Sequence, residues 1–401
     1  MEHAELDRVS AALAHARAPE EVFGNLTGTR SEMLEAARSI FRQMAKTVHP
    51  DLYQGTPDFD KAGSTFKKLA HFWELAQTRI AHDCYGADRL TPSYGSDRVK
   101  PFEPFTIRTR RRLYSIERVL AHGDLCALYV ATSTPADGPR RTPPVGDPCE
   151  NRMILKIPLK PEDNDLVANE ARVLRHLRSA DDYDRLRHFV SDVVDTFSYH
   201  EAASGMVRQV NALSYVEGLY SLKEVREAYP RGVDPKDMAW IWRRLLVALA
   251  FAHGSKVIHG AVLPTHTLIH PDQHGVVLID WSYATIDPEA TGERISALSS
   301  AYRGWYPEEV FAKKAPTPGL DLTMGAICMI ELLGGDPEQR TMPETAPWQL
   351  QNYLKGCTLP TSRPHDAHSL LIEFDALIER LWGPKTFHAF SMPTHFEKEG
   401  G

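Results

Sequence analysis

The stretch His259-Gly260-Ala261-Val262-Leu263-Pro264-Thr265-His266-Thr267-Leu268-Ile269, followed after a short turn by Val276-Val277-Leu278-Ile279-Asp280-Trp281-Ser282, decides how this chain is read. Val257-Ile258 leads into it and apolar residues fill the two runs that follow, so the polar positions lie on a loop whose downstream strands form a hairpin closed by Asp280. Upstream, Trp240 to His253 alternates apolar and basic residues at a helical period and delivers the chain to the loop. Helix, loop, hairpin and terminal carboxylate read as an active-site loop. Its chemistry turns on His259, Ala261, His266 and Asp280.

In spacing, this stretch resembles the catalytic loop of protein kinases, H-R-D-x-K-x-x-N before a hairpin that ends in a metal-binding Asp. His259 and Asp280 match that pattern, whereas the proton-accepting Asp falls on Ala261, the lysine on Leu263 and the metal-binding Asn on His266. A general base contributes about 10²–10⁴-fold to a rate, so the resemblance implies a catalytically impaired kinase-like domain, a pseudokinase. Asp280 is retained as a metal ligand. For His266 two readings stand: a hydrogen-bonded structural residue, or a partner of Asp280 on a metal softer than magnesium. His259 corresponds to a residue that is structural in kinases.

Other kinase landmarks follow in order. Tyr114 to Leu120, Leu125 to Ala131 and Met153 to Ile157 are β-type runs and take the places of the first three small-lobe strands. The turn His122-Gly123-Asp124 stands where a glycine-rich phosphate loop belongs but keeps one glycine of three, so it offers fewer close amides to phosphate. Ser133 to Asn151, with five prolines, is expected to be an exposed loop. Lys156 falls on the phosphate-binding lysine, and Glu170, on a helix from Asp165 to Leu177, is its expected partner; the alternative is a solvent-facing Lys156. Ala212 to Gly218 resembles the strand and hinge between lobes, with Leu213 as gatekeeper and the backbone near Tyr215 and Val216 meeting an adenine. Tyr306-Pro307-Glu308-Glu309 resembles the A-P-E segment, Asp321 to Gly325 the start of the central helix, and Arg363-Pro364-His365-Asp366-Ala367 the element whose Arg forms a buried pair with the segment Glu, here Glu308. The resemblance spans Arg112 to Trp382.

The N-terminal third is different. Leu6, Val9 and Leu13 share one face of a short helix. From Ser31 to Val48, Met33, Ala37, Ile40, Phe41, Met44 and Val48 recur at helical spacing, while Arg38, Arg42 and Lys46 form a basic stripe on another face. Pro50 stops that helix, and a second period carries Phe66, Leu69, Trp73, Ala76 and Ile80, so the two helices are expected to pair antiparallel. A basic helix, His49-Pro50-Asp51 in the loop and an antiparallel helix resemble a J-domain, the module with which co-chaperones stimulate DnaK-type chaperones. By position, His49, Pro50 and Asp51 would touch the chaperone, with Arg38, Arg42 and Lys46 steering encounter. An ordinary helical hairpin with a solvated basic face is the competing reading.

Composition bounds the rest. The 401 residues exceed the usual single domain, and 42% apolar with 25% charged residues is ordinary for globular proteins. No apolar run reaches a membrane span and no signal peptide opens the chain, so a cytoplasmic protein is expected. Five scattered cysteines argue for free thiols, and a net charge of -7 disfavours nucleic acid despite the local cluster Arg108, Arg110, Arg111 and Arg112, a solvated linker face or a phosphate-binding patch. The expected class is α+β: an all-α J-domain-like unit over residues 1–86, a linker over 87–111, a bilobal kinase-like domain over 112–390 with a β-rich small and an α-rich large lobe, and a disordered tail over 391–401. The expected function is co-chaperone or recruitment protein. Its partners are a DnaK-type chaperone and a client of unknown identity, and weak ATP or ADP binding with a divalent metal is expected through Lys156, Glu170 and Asp280. A phosphotransferase or nucleotidyltransferase of unusual mechanism and a scaffold without chaperone link are the alternatives.

Overall fold

A computed structural model describes residues 2–393 except 17, 25, 27, 54–55, 82–84, 86–101, 103, 124, 137–151, 201–204, 300, 361 and 363. The chain divides into two compact units, Met1–Pro101 and Phe102–Gly401. No helix among the described residues is long and apolar enough to cross a membrane.

The first unit is helical: α1 (Glu2–His15), α2 (Pro19–Phe23), α3 (Arg30–Val48) and α4 (Phe59–Ala81). Thr29 starts α3 through a capping box, its hydroxyl accepting from the Glu32 amide while the Glu32 carboxylate accepts from the Thr29 amide. The helix stops before Pro50, where a 3₁₀ turn, Pro50–Tyr53, begins. Phe41 stacks on Trp73 at 5.4 Å and His49 meets Phe66 at 5.0 Å. Numbers that rise along α3 fall along α4, so the pair is antiparallel. Ala37, Val48, Leu69, Ala76 and Ile80 are fully buried between them, joined by Leu6 and Leu13 of α1 and Phe23 of α2. Sequence periodicity does not reveal α2, which is five residues long; its buried Glu20 is held by Arg79 of α4 at 2.8 Å.

The second unit is mixed α+β. Strands β1 (Phe105–Arg108), β2 (Arg112–His122), β3 (Cys126–Pro135), β4 (Arg152–Pro158), β5 (Val193–His200) and β6 (Val207–Ser214) form one antiparallel sheet in the order β1-β2-β3-β4-β6-β5. Two register shifts between β2 and β3 add local twist and curl it. The expected linker over 87–111 is thereby corrected: Phe105–Arg108 is an edge strand, and the Arg cluster sits on its hairpin, with Arg108 donating to the Ala136 carbonyl at 3.0 Å and Arg112 to the Ser133 hydroxyl at 2.8 Å. Four residues are too few to show a period, and the pairing that makes them a strand is tertiary. The expected exposed loop is also shorter at its start, because Ser133–Pro135 complete β3 and Ser133 is buried; residues 137–151 lie outside the described set.

Helix α5 (Asn164–Arg178) packs Val167, Ala171, Val173, Leu174 and Leu177 inward, and α6 (Tyr183–Leu186) follows. After β6 come β7 (Tyr220–Ser221), α7 (Leu222–Ala228), α8 (Pro235–Gly254) and β8 (Val257–Ile258). Next are β9 (Thr267–His270) and β10 (Gly275–Leu278), which form the hairpin read from the sequence, then β11 (Thr285–Ile286), α9 (Pro288–Thr291), α10 (Glu308–Phe311), α11 (Pro318–Leu332), α12 (Trp348–Thr358) and α13 (Ala367–Trp382). Thirteen of the fifteen residues of α11 are buried, so it is the centre of the helical part rather than a surface helix. Gly232, before α8, and Gly334, after α11, both have positive φ (+92° and +86°) and face each other backbone to backbone: a Cβ on Gly232 would lie 2.1 Å from the Leu333 carbonyl oxygen. Beyond α13, Phe390 and Met392 are buried and the Tyr229 hydroxyl donates to the Ser391 carbonyl, so packed chain extends past the expected start of the tail at 391; residues 394–401 lie outside the described set.

Candidate functional site

Side chains alternate along β4. Leu155 and Ile157 enter the core on one face of the sheet, and Lys156 faces the other way. Its ammonium has three protons and three acceptors: Glu170 Oε1 at 3.0 Å, Asp280 Oδ1 at 2.6 Å and Ser282 Oγ at 2.8 Å. Burial alone would lower its pKa, but the Asp280 and Glu170 charges carry it well above the ordinary lysine value. Glu170 is fully buried, and its second oxygen accepts from Asn211 Nδ2 at 3.0 Å. The solvent-facing alternative for Lys156 is excluded, and the pair expected from spacing forms.

Asp280 is held in a left-handed backbone conformation (φ 61°, ψ 64°), uncommon for any residue with a side chain. This turns the chain after β10 so that the carboxylate faces Lys156. Its other oxygen, Oδ2, lies 3.3 Å from His266 Nε2. Burial would raise the Asp280 carboxyl, but Lys156 and His266 pull it well below the usual carboxylate range, so it is ionised. His266 Nδ1 donates to the Ala261 carbonyl at 2.9 Å. The ring thus lies between the Ala261 carbonyl on its Nδ1 side and the Asp280 carboxylate on its Nε2 side.

His259 is the opposite case. Its Nε2 donates to the Ile279 carbonyl at 2.9 Å and its Nδ1 accepts from the Ala261 amide at 3.2 Å, which defines a neutral ring, and burial pushes its pKa down to about 4. The loop beneath it is anchored by Asp321 in the first turn of α11, whose two oxygens accept from the His259 and Gly260 amides at 2.8 Å each and from His253 Nε2 at 3.0 Å. Ala261 is fully buried, so no carboxylate stands where a general base would.

Lys156, Glu170, Asp280 and His266 line a cavity of about 1330 Å³, whose walls also include Gly123, Leu213, Tyr215 and Val216. The Gly123 amide is used within its hairpin, donating to the Cys126 carbonyl at 2.9 Å, so it is not free for phosphate. Glu308 is exposed at the start of α10, so the burial expected of its carboxylate is not found, and its expected partner Arg363 lies outside the described residues. A four-residue helix on the surface offers no apolar cover for such a pair.

Sequence spacing missed four contributors. Ser282 completes the ammonium's shell, Asn211 holds Glu170, His253 holds Asp321, and Asn169 donates to the Ser282 and Ala284 carbonyls at 3.0 and 2.9 Å, fixing the segment after Asp280 to α5. Only Ser282, two residues beyond the hairpin carboxylate, had a positional signal.

Among the described residues, no group of three or more His, Cys, Asp or Glu side chains is placed to hold a metal.

No family model matches the chain. Over 106 residues, 26% of this chain, it is 32% identical to the serine/threonine-protein kinase PAK 1 of Mus musculus, and the match spans 19% of that protein's length. The chain thus carries a kinase-like region.

Proposed function

We propose that the second unit is a bilobal, kinase-like pseudokinase that binds an adenine nucleotide without transferring its phosphate, and that the first is a J-domain-like unit that recruits a DnaK-type chaperone to whatever client or regulator the second unit holds. The observation that carries the nucleotide reading is Lys156 joined to both Glu170 and Asp280 on the wall of the large cavity, beside a loop that has Ala261 in place of a base. In this reading the sheet with α5 is the small lobe, Tyr215 to Gly218 the hinge, and the helices from α7 onward the large lobe. The chaperone reading rests on His49, Pro50 and Asp51 at the turn between two antiparallel helices, with Arg38, Arg42 and Lys46 exposed on α3. A cytoplasmic location goes with it.

Two assays test the proposal. Nucleotide at about 100 times its dissociation constant adds about 2.7 kcal/mol to stability. A rise in melting temperature with ATP or ADP that Lys156→Met diminishes supports the site, and no rise at millimolar nucleotide removes it. Labelled ATP with generic protein substrates should give little transfer; turnover in the ordinary kinase range of about 1–100 per second, lost in Asp280→Asn, would establish an active transferase instead. For the first unit, His49→Gln should abolish stimulation of a DnaK-type ATPase in single-turnover assays. Equal stimulation by both proteins refutes the chaperone link.

A further inference from the structure

We infer that the large cavity has a second binding end, around Arg187, His188, Arg244 and His274, and that this end takes a phosphate monoester carrying hydroxyl groups. The β9–β10 hairpin keeps it apart from the Lys156 cluster. Asp280 follows one end of the hairpin and His274 lies in the turn at the other, so at about 3.3 Å per strand residue the two stand roughly 15–20 Å apart. At about 1330 Å³ the cavity exceeds the roughly 300–1,000 Å³ of a pocket for one small ligand, which leaves room for both ends to be used.

Three separate segments bring these cations together. Val190 bridges Leu278 in parallel, and three residues earlier on the two segments stand Arg187 and Gly275, the latter next to His274. Arg244 comes from α8, which packs on β10. After burial, the Arg244 charge is the largest influence holding both His188 and His274 below the ordinary histidine pKa, so one guanidinium reaches both rings. Among the described residues, neither the Arg187 nor the Arg244 guanidinium has a hydrogen bond or an ion pair. The carboxylates on the wall are engaged elsewhere: Glu117 pairs with Arg152 and Asp192 with Arg178, at 3.6 Å each, Glu224 caps Ser221, Glu170 and Asp280 hold Lys156, and Glu217 is not free either. Asp272, in the turn itself, is exposed and not part of the wall. Two guanidiniums without a counter-charge balance a phosphate dianion, and their planar forks match its oxygens.

An independent observation points to the rest of the ligand. Of the ten buried polar side-chain atoms without a hydrogen-bond partner among the described residues, four belong to this wall: Ser191 Oγ, Asp192 Oδ1, His270 Nδ1 and His274 Nε2. Buried polar atoms are nearly always bonded, so their gathering on one wall marks a place for polar groups of a ligand. Ser191, only 9% exposed, lies four residues on from Arg187, and the Asp192 carboxylate accepts without donating. Hydroxyl groups, which both donate and accept, satisfy this mixture where a bare phosphate does not.

The experiment is calorimetric titration of the full chain with ribose 5-phosphate, methyl phosphate and ribose, with and without millimolar ADP, for wild type and the double variant Arg187→Gln/Arg244→Gln. Both arginines are exposed and make no bond that folding needs, so the variant should keep the wild-type melting profile. Wild type should bind ribose 5-phosphate more tightly than methyl phosphate and should not bind ribose measurably, and the double variant should lose at least about tenfold in affinity for ribose 5-phosphate. Affinity unchanged by ADP assigns the phosphate to a separate small molecule. Competition by ADP that disappears in the double variant assigns it to the nucleotide itself, and either result places a phosphate at this end. Loss of less than about tenfold in the double variant, ribose 5-phosphate binding no tighter than methyl phosphate, or no binding of either ester in the millimolar range overturns the inference. The nucleotide reading is tested through Lys156 and not through these arginines, so it stands or falls separately.

Discussion

Replacing Lys156 by Met keeps length and apolar stem and deletes the charge at the centre of the site. The lysine side chain is 6% exposed, Glu170 is 0% and Asp280 is 24% exposed, so the change strands one carboxylate wholly and another partly away from water. Removing one partner of a buried ion pair costs about 3–5 kcal/mol, and the partial exposure of Asp280 places the expected loss near the lower end, about 3 kcal/mol. In a unit of roughly 300 residues that lowers the melting temperature by roughly 5 °C. A second change separates the causes. Glu170→Gln should be damaging in the wild-type background, where it breaks the pair, but in Lys156→Met it removes a stranded charge, so the double variant should regain about 1–2 kcal/mol. Urea denaturation followed by tryptophan fluorescence is the assay, because six of the seven tryptophans belong to the second unit and Trp281 adjoins the site. A loss below about 1 kcal/mol in Lys156→Met, or strict additivity of the two changes, would refute the reasoning.

Asp321→Asn places an amide NH₂ against donors that both carboxylate oxygens now serve, and should cost roughly 2–4 kcal/mol in the same denaturation assay. Neutral, buried His259 has a pKa depressed from 6.5 to about 4, so over that window the unfolded chain takes up the proton first. Stability is intact above pH 6.5 and falls as pH drops toward 4 by on the order of 3 kcal/mol from this group, and the slope over that window should flatten in His259→Asn. Asn169→Ala leaves the Ser282 and Ala284 carbonyls without their donor, at about 1–3 kcal/mol, and should show as faster hydrogen exchange confined to residues 281–286 before global unfolding changes.

Lys156, Glu170 and Asp280 were legible because each sits in a short run whose period or position is local: an apolar strand, an amphipathic helix, the end of a hairpin. The antiparallel α3 and α4 were legible for the same reason, through apolar stripes three to four residues apart. Unread features depend on neighbours distant in sequence. Strand β1 exists only through pairing with β2, and Asn211 and Asn169 are ordinary polar residues until the fold turns them toward Glu170 and the Ser282 carbonyl. His266 was recognised as a departure at a metal position; that its ring lies between the Ala261 carbonyl and Asp280 follows only from the folded loop. Gly123 shows the converse. Its position suggested a phosphate contact, and the hairpin consumes its amide.

The facing glycines Gly232 and Gly334 set a limit on how this chain can be engineered. Most packing contacts are graded, since a smaller or larger side chain costs in proportion to the volume changed. Here the contact is between two backbones at positive φ, and a Cβ on Gly334 would come within 2.5 Å of the Arg231 carbonyl oxygen, as one on Gly232 would of the Leu333 oxygen. No side chain is small enough to tune it, and a change at one position cannot be rescued by shrinking the other, which is already glycine. A mutagenesis library built to retarget the cavity should therefore hold these two codons fixed and spend its diversity on positions such as Val216, on the cavity wall and 48% exposed, where substitution is absorbed by solvent.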